Sequence, residues 1–446
     1  MKIALAFLAA LVIGALAVLA ALSATPAITV TPPVKAIGAG TPVKVELTDP
    51  YGVRRLTAVV EQNGARYTVF DQRHPAHRLS FMRLHEAPRV VTFPAGKQQA
   101  PALKDGKAKL IIAAQSNDFL GRTTTASYDV DVVLEPPRLM VDEAQHYINQ
   151  GGSELVTFSV SGDWTDAGVK VGGYTFRSFP MPGRPAAERF SLFAFPWDLP
   201  ADTVPRVYAR NAAGTEVIGR FWYKIFPKPF RTRDLEITDA FLEKVVNQID
   251  PGGSGDLLTR FLKINRDMRK QNNQTLSDLR SKTEERVLWN GPFLQLANSQ
   301  VESHFADVRS YIYKGKKVDQ QVHLGYDLAV TQHVPVAAAN DGKVIWAADL
   351  GIYGNCIVLD HGYGLQSIYG HLSRIDVKPG ETVKKGQAMG LSGSTGLAGG
   401  DHLHFSMQVD GVQINPAEWF DAHWIHDRIL SKLAPEGQAA APQSKP

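Results

Sequence analysis

The sequence has almost no cysteine. One thiol, Cys356, in 446 residues excludes an intrachain disulfide and any metal or iron–sulfur site built from several thiolates. It also lacks a charge excess: 48 basic against 44 acidic side chains leave +4, too near balance for a nucleic-acid binder. No His-Glu-x-x-His occurs, so the helix-borne glutamate base of that protease class is missing. The glycine-rich Gly390-Leu-Ser-Gly-Ser-Thr-Gly396 lacks the Gly-Lys-Ser/Thr ending of a phosphate loop, which excludes nucleotide binding. Long apolar runs are absent too, apart from one at the start of the chain.

What remains is a chain built for cores. Apolar residues make up 44% and aromatics 9%, which excludes a mainly disordered or collagen-like polymer. At roughly 150 residues per domain the length suggests about three domains. Thirteen His beside one Cys mean that any metal site draws on nitrogen and oxygen. The apolar run, Ile3 to Leu22 after a single Lys2, reaches roughly 30 Å as a helix, the thickness of a hydrocarbon core. Ala21-Leu22-Ser23 or Ala24 also offers a small-residue cut site. Residues 1–24 are therefore read as a signal peptide or an N-terminal membrane anchor. Either way the rest occupies one compartment, the outer one by the positive-inside rule.

The expected fold class is mainly β. Val43-Lys-Val-Glu-Leu47, Leu56 to Val60, Tyr67 to Phe70 and Tyr128 to Val133 alternate, with turn signals at Asp49-Pro50-Tyr51-Gly52, Asn63-Gly64 and Asp105-Gly106. This predicts a β-sandwich of Ig-like architecture over 25–135. After Pro136-Pro137 a second sandwich is expected over 136–228, from Leu155 to Val160, Gly168 to Phe176, Arg206 to Ala209 and Gly219 to Phe226. The period then turns helical, giving a connector over 229–297. Thr238 and Asp256 are N-cap candidates, and a third helical stretch is expected from about Thr275 to Val287. The compact unit over 298–420 is rich in Gly and short strands. Residues 421–446 are read as a C-terminal helix and a disordered tail, from about Lys432.

Chemistry concentrates in 298–420. In His402-Leu-His-Phe-Ser-Met-Gln-Val409, strand alternation sends Leu403, Phe405, Met407 and Val409 one way and His402, His404, Ser406 and Gln408 the other. A His-x-His alone is expected about 0.4 times by chance, so it needs company. His323-Leu-Gly-Tyr-Asp327 supplies it, with a Gly inside and strand-like Leu328-Ala-Val330 following. A second copy, His423 to Asp427, reads as a fortuitous match on a terminal helix. A mixed His/Asp/His set suits a three-ligand zinc site with an open fourth position, the catalytic pattern. Ser367-Ile-Tyr-Gly-His371-Leu-Ser373 adds a strand that ends in an imidazole. Tyr369, of the same strand parity as His371, is read as a packed side chain. His304, His333 and His361 are read as structural.

His323-x-x-x-Asp327, Tyr369-Gly-His371-Leu and His402-Leu-His404 resemble, in order and spacing, the lysostaphin-type (LytM) zinc metallopeptidases, peptidase family twenty-three. So do Gly354-Asn-Cys-Ile-Val-Leu-Asp-His-Gly362, Val377-Lys-Pro-Gly380, Val383-Lys-Lys-Gly-Gln387 and Asn415-Pro416. The resemblance covers about 298–420 and implies a C-terminal antiparallel β-sheet LytM domain. It implies one Zn2+ held by His323, Asp327 and His404, with His371 and His402 as the two catalytic imidazoles. One departure stands out: the family's usual Ser-x-Phe-Gly-x-Arg reads here Ser303-His-Phe-Ala-Asp-Val-Arg309, with Ala306 for the Gly. The implied activity is a zinc endopeptidase of the cell envelope that acts on peptidoglycan stem peptides in wall remodelling. The β modules would be surfaces for other envelope proteins, and only the N-terminal segment would touch membrane. The alternative is a non-catalytic LytM scaffold that activates a wall amidase, but degenerate members of that kind lose metal or catalytic residues and all five positions are filled here.

Overall fold

Strict alternation organises the first part of the chain. In Thr41–Thr48, Val43, Val45 and Leu47 are buried while Lys44 and Glu46 face water. This strand lies between Ala27–Val30 and Arg89–Ala95 in a three-stranded sheet. A five-stranded sheet runs in the order Ala36–Ile37, Thr123–Val132, Gly106–Ser116, Val53–Gln62, Ala65–Arg73. Val45 and Phe93 from one sheet and Leu56, Leu110 and Val132 from the other share one apolar core, each side chain contributing about 1.5–3 kcal/mol by its burial. Asn63 and Gly64 both adopt positive φ, 51° and 79°, the hairpin turn their sequence announces.

The structure, a computed structural model, describes residues 2–77 and 85–433. Two compact units emerge. The first holds the chain up to Leu139 with Val160–Asp166 and Ala209–Val217; the second holds Met140–Ser159, Ala167–Tyr208 and everything from Ile218 onward. In the first unit the helix Lys2–Leu22 is exposed along most of its length, and it is long and apolar enough to cross a membrane.

The second unit contains the antiparallel pairs Ser153–Ser159 with Glu188–Ala194 and Gly168–Val171 with Tyr174–Arg177. The strand expected from Gly219 to Phe226 is two strands, Glu216–Gly219 and Tyr223–Phe226. It breaks because the second piece pairs in parallel with a different partner, His146–Asn149. Further on, a large antiparallel sheet runs Gln300–Ser303, Tyr326–Ala329, His402–Val409, Leu365–Leu372, Asn355–Asp360, Gly342–Asp349, Thr382–Val383. A smaller one joins Thr232–Glu236, Asp307–Tyr313 and Lys316–His323.

Helices cover a face of this assembly. Thr238 accepts a hydrogen bond from the Phe241 N–H and Asp256 from that of Thr259, starting the helices Asp239–Ile249 and Leu257–Lys263. The second continues through a π turn, Ile264–Met268, into Arg269–Asp278 and ends at Ser281. The third helical stretch therefore begins before Thr275 and stops short of Val287. Its polar opening stays helical because Asn272 accepts from the Ile352 N–H and Asn273 from the Tyr353 hydroxyl. Leu242, Val246, Phe261 and Leu276 share a core with Tyr311, Ile352, Val358 and Ile368. The polar face of His402–Val409 is thus covered as well: Gln408 donates to the Leu276 carbonyl.

Buried polar contacts tie 146–159 and 167–177 to the rest of this unit. Lys432 Nζ donates to Glu154 Oε1 at 2.7 Å. Glu418 accepts from Asn149 Nδ2 and the Ser153 N–H, each at 2.8 Å. Arg177 holds Asp410. The terminal helix is present from Ala422 to Leu433; the tail expected to lack order lies, from residue 434, outside the described residues.

Candidate metal centre

Strand register assembles the site. Tyr326–Ala329 pairs with His402–Val409 so that Asp327 sits opposite His404, and His404 in turn sits opposite Gly370, next to His371. His323 closes its own strand three residues before Tyr326–Ala329 begins. Gly325 lies between them because a Cβ there would come within 2.7–2.8 Å of the His404 ring, too close for any side chain. His371 has φ 63°, a left-handed conformation within an irregular stretch of strand pairing. That turn breaks the parity it was expected to share with Tyr369. The Tyr369 hydroxyl stays in the core, accepting from the Ala339 N–H and from Ser367, while the His371 ring turns to the site.

Three donor atoms converge. His323 Nε2 lies 3.0 Å from His404 Nδ1. Asp327 Oδ1 lies 2.9 Å from the first and 3.1 Å from the second. All three side chains are buried. This triangle is close to the spacing that a tetrahedral ion with bonds of about 2.0–2.1 Å imposes, and two imidazoles with a carboxylate are a zinc-compatible donor set. His323 Nδ1 is 3.1 Å from the His304 carbonyl, so a proton there leaves Nε2 bare toward the cluster. Asp327 Oδ2 accepts from the Arg309 guanidinium, which turns Oδ1 toward the imidazoles.

His371 and His402 are mounted alike. His371 Nδ1 meets the Thr395 carbonyl at 2.8 Å and His402 Nδ1 the Gly400 carbonyl at 2.9 Å. Their rings are 4.8 Å apart, and His402 Nε2 is 3.4 Å from Asp327 Oδ1. Burial pushes His371 well below the ordinary histidine value, helped by His402 and His404. At His402 burial works the same way, but the hydrogen bond and charge of Asp327 outweigh it and raise the pKa. Burial takes His404 down to about 4 and also lowers His323. Asp327 stays ionised far below its usual range despite burial, through the charge and hydrogen bond of His323.

All five residues singled out in the sequence line one groove of about 340 Å³. Phe241, Arg269 and Asn273 from the helices form one wall, and Leu397 and Ala398 another. Lys244 donates to the Gly399 carbonyl across it. His304, His333 and His361 stay outside the lining. His361, for example, is fixed by the Asp341 carbonyl and Ser367. His423 and Asp427 are exposed on the terminal helix. Ala306 keeps the positive φ, 61°, for which glycine is the usual residue. Sequence reasoning missed Arg309 as the partner of Asp327 and Tyr353, whose ring packs 5.4 Å from that of His404. It also missed the helical wall. Arg309 had one signal, its place at the end of the Ser303–Arg309 phrase.

Residues 321–416 match the family described as Peptidase family M23. Over 95 residues the chain is 44% identical to an uncharacterized metalloprotease of Haemophilus influenzae, covering 21% of this chain and 20% of that one. Over 93 residues it is 41% identical to the peptidoglycan DD-endopeptidase ShyA of Vibrio cholerae (21% and 22%). Over 95 residues it is 36% identical to the murein hydrolase activator EnvC of Escherichia coli (21% and 23%). The chain spans about a fifth of the length of the curated relatives it matches. The segment that carries the His323–Asp327–His404 cluster is a domain of peptidase family M23.

Proposed function

We propose that the protein is a zinc-dependent endopeptidase that cuts peptide cross-links of peptidoglycan. The observation that carries this reading is the buried triangle of His323 Nε2, Asp327 Oδ1 and His404 Nδ1, about 3 Å on each edge, with two further imidazoles beside it in a groove. Those three residues would hold the ion. Zinc bound there supplies an acidified water and polarises a carbonyl. The chain's own groups then move protons: His371 and His402, each tethered through Nδ1, present Nε2 to the same space. One takes the proton of the attacking water, and the other steadies the oxyanion or protonates the leaving amine. Asp327, anchored by Arg309, fixes the ligand set. The DD-endopeptidase activity named for ShyA supports the substrate class. The helix over residues 3–22, as a signal peptide or anchor, would export the catalytic unit to the cell envelope, where the β regions are available to other envelope proteins.

The test is digestion of purified sacculi by the protein lacking residues 1–24, with muropeptides separated afterwards. Cross-linked dimers should fall and monomers rise, and both changes should vanish on chelation and in His404→Ala. Stoichiometric zinc without any cleavage, together with stimulation of an amidase, would overturn this reading in favour of the scaffold.

A further inference from the structure

A second cavity, of about 430 Å³, lies within the same compact unit. Leu324 and Asn273 line both it and the metal-site groove, so one continuous surface leads from His323 toward the 167–208 segment. The two cavities differ in chemistry. The groove is walled near the cluster by Ile237, Phe241 and Tyr311. The second cavity offers the half-buried rings of Tyr174 and Trp197 together with the neutral hydrogen-bonding side chains of Thr175, Ser277 and Gln413. Its charges cancel: Arg280 and Asp198 are both exposed at the rim, and Asp410 is occupied by the Arg177 guanidinium and backbone N–H. The Trp197 ring is braced edge-on by Phe230 at 6.2 Å.

Rigid aromatic faces ringed by hydroxyl and amide groups, without net charge, suit a pyranose. Its C–H face lies on a ring, and its hydroxyl and N-acetyl groups find donors and acceptors. The volume is that of a small-molecule site. We infer that this cavity is a carbohydrate subsite that takes an amino-sugar unit of the glycan strand while the attached stem peptide lies in the groove. The inference rests on the endopeptidase reading for its substrate and extends it to a second contact. A stem peptide is joined at one end to the glycan, so a sugar subsite must be continuous with the peptide groove. Leu324 and Asn273 provide that continuity.

The experiment compares two purified substrates with the full-length protein: a cross-linked muropeptide dimer that keeps its disaccharides, and the same peptide dimer freed of sugar. Trp197→Ala should raise KM for the first by about tenfold, the loss of one ring contact, with kcat and the sugar-free reaction unchanged. Trp197→Phe should recover most of the difference. Equal treatment of the two substrates by wild type, or equal damage to both in Trp197→Ala, overturns the subsite. A separate titration with an N-acetylglucosamine tetrasaccharide reads the site without cleavage. Binding lost in Trp197→Ala supports it even if neither dimer is cut, in which case the endopeptidase reading alone fails; no binding overturns it.

Discussion

The N-terminal sandwich and the unit that carries the candidate metal centre share a style of strand but bury different things. The side chains that the two sheets of the sandwich share are apolar, and its buried acids Asp49 and Asp118 hold backbone N–H groups. Asp49 accepts from the Tyr51 N–H, and Asp118 from those of Gly121 and the distant Ala24. In the second unit buried acids join segments far apart in the chain: Glu154 to Lys432, Ser153 to Glu418, Arg177 to Asp410. A structure held by local alternation can serve as a spacer, indifferent to its neighbour in the chain. One held by buried polar contacts between distant segments is part of the body it is tied to. The strands within 146–159 and 167–208 therefore belong to the same compact unit as the candidate metal centre.

The sharpest way to break this contrast is Lys432→Met. Lys432 Nζ also meets the Leu155 carbonyl and His146 Nδ1, and Glu154 is wholly enclosed. Removing the cation leaves a buried carboxylate without its charge partner, which costs about 3–5 kcal/mol. Hydrogen exchange resolved by segment should show the second unit destabilised by that amount and the sandwich unchanged. Glu154→Gln in the same chain should restore much of the loss. An equal loss in both units would mean that the division of labour argued from buried charge is mistaken.

Legibility divides along the same line. Alternation exposed the sandwich strands residue by residue, since Val43, Val45 and Leu47 need only their neighbours for the pattern to show. The convergence of His323, Asp327 and His404 was legible because they sit in short motifs of fixed spacing. The covering of Gln408 was not, because the helix whose Leu276 carbonyl it meets lies over a hundred residues earlier. Arg309 was missed as a partner for Asp327 because their meeting depends on the registers of two different sheets. The left-handed turn at His371 leaves no mark in the sequence. The polar stretch from Arg269 has no apolar period of its own, so its helix shows only once Ile352 and Tyr353 are placed against it.

A second prediction separates the units by pH. Burial lifts the Glu418 carboxyl to about 7, against the hydrogen bonds from Asn149 and Ser153. Its folded pKa then exceeds the unfolded value of 4.5, so the folded state holds the proton more tightly. Stability from this source is complete below about pH 4.5 and disappears as pH rises through 7, a change of about 3 kcal/mol. Thermal melts from about pH 5 to about pH 8 should show the second unit weakening in wild type and a flatter profile in Glu418→Gln. Parallel slopes in the two proteins would remove Glu418 from the account.

The smallest effect is expected at the candidate metal centre. Arg309 uses the device seen at the joints, a cation on a buried acid, but here the acid's other oxygen faces the ligand triangle. Arg309→Met leaves every ligand in place and frees Asp327 to rotate, so zinc affinity should fall about 10–100-fold. Competition with a chromophoric chelator measures this without any assay of cleavage. Arg309→Lys keeps the charge but not the planar fork and should fall between the two. Should Arg309→Met bind zinc as tightly as wild type, the buried pairs of the second unit would be joints alone, and the triangle would hold its geometry through strand register without help from charge.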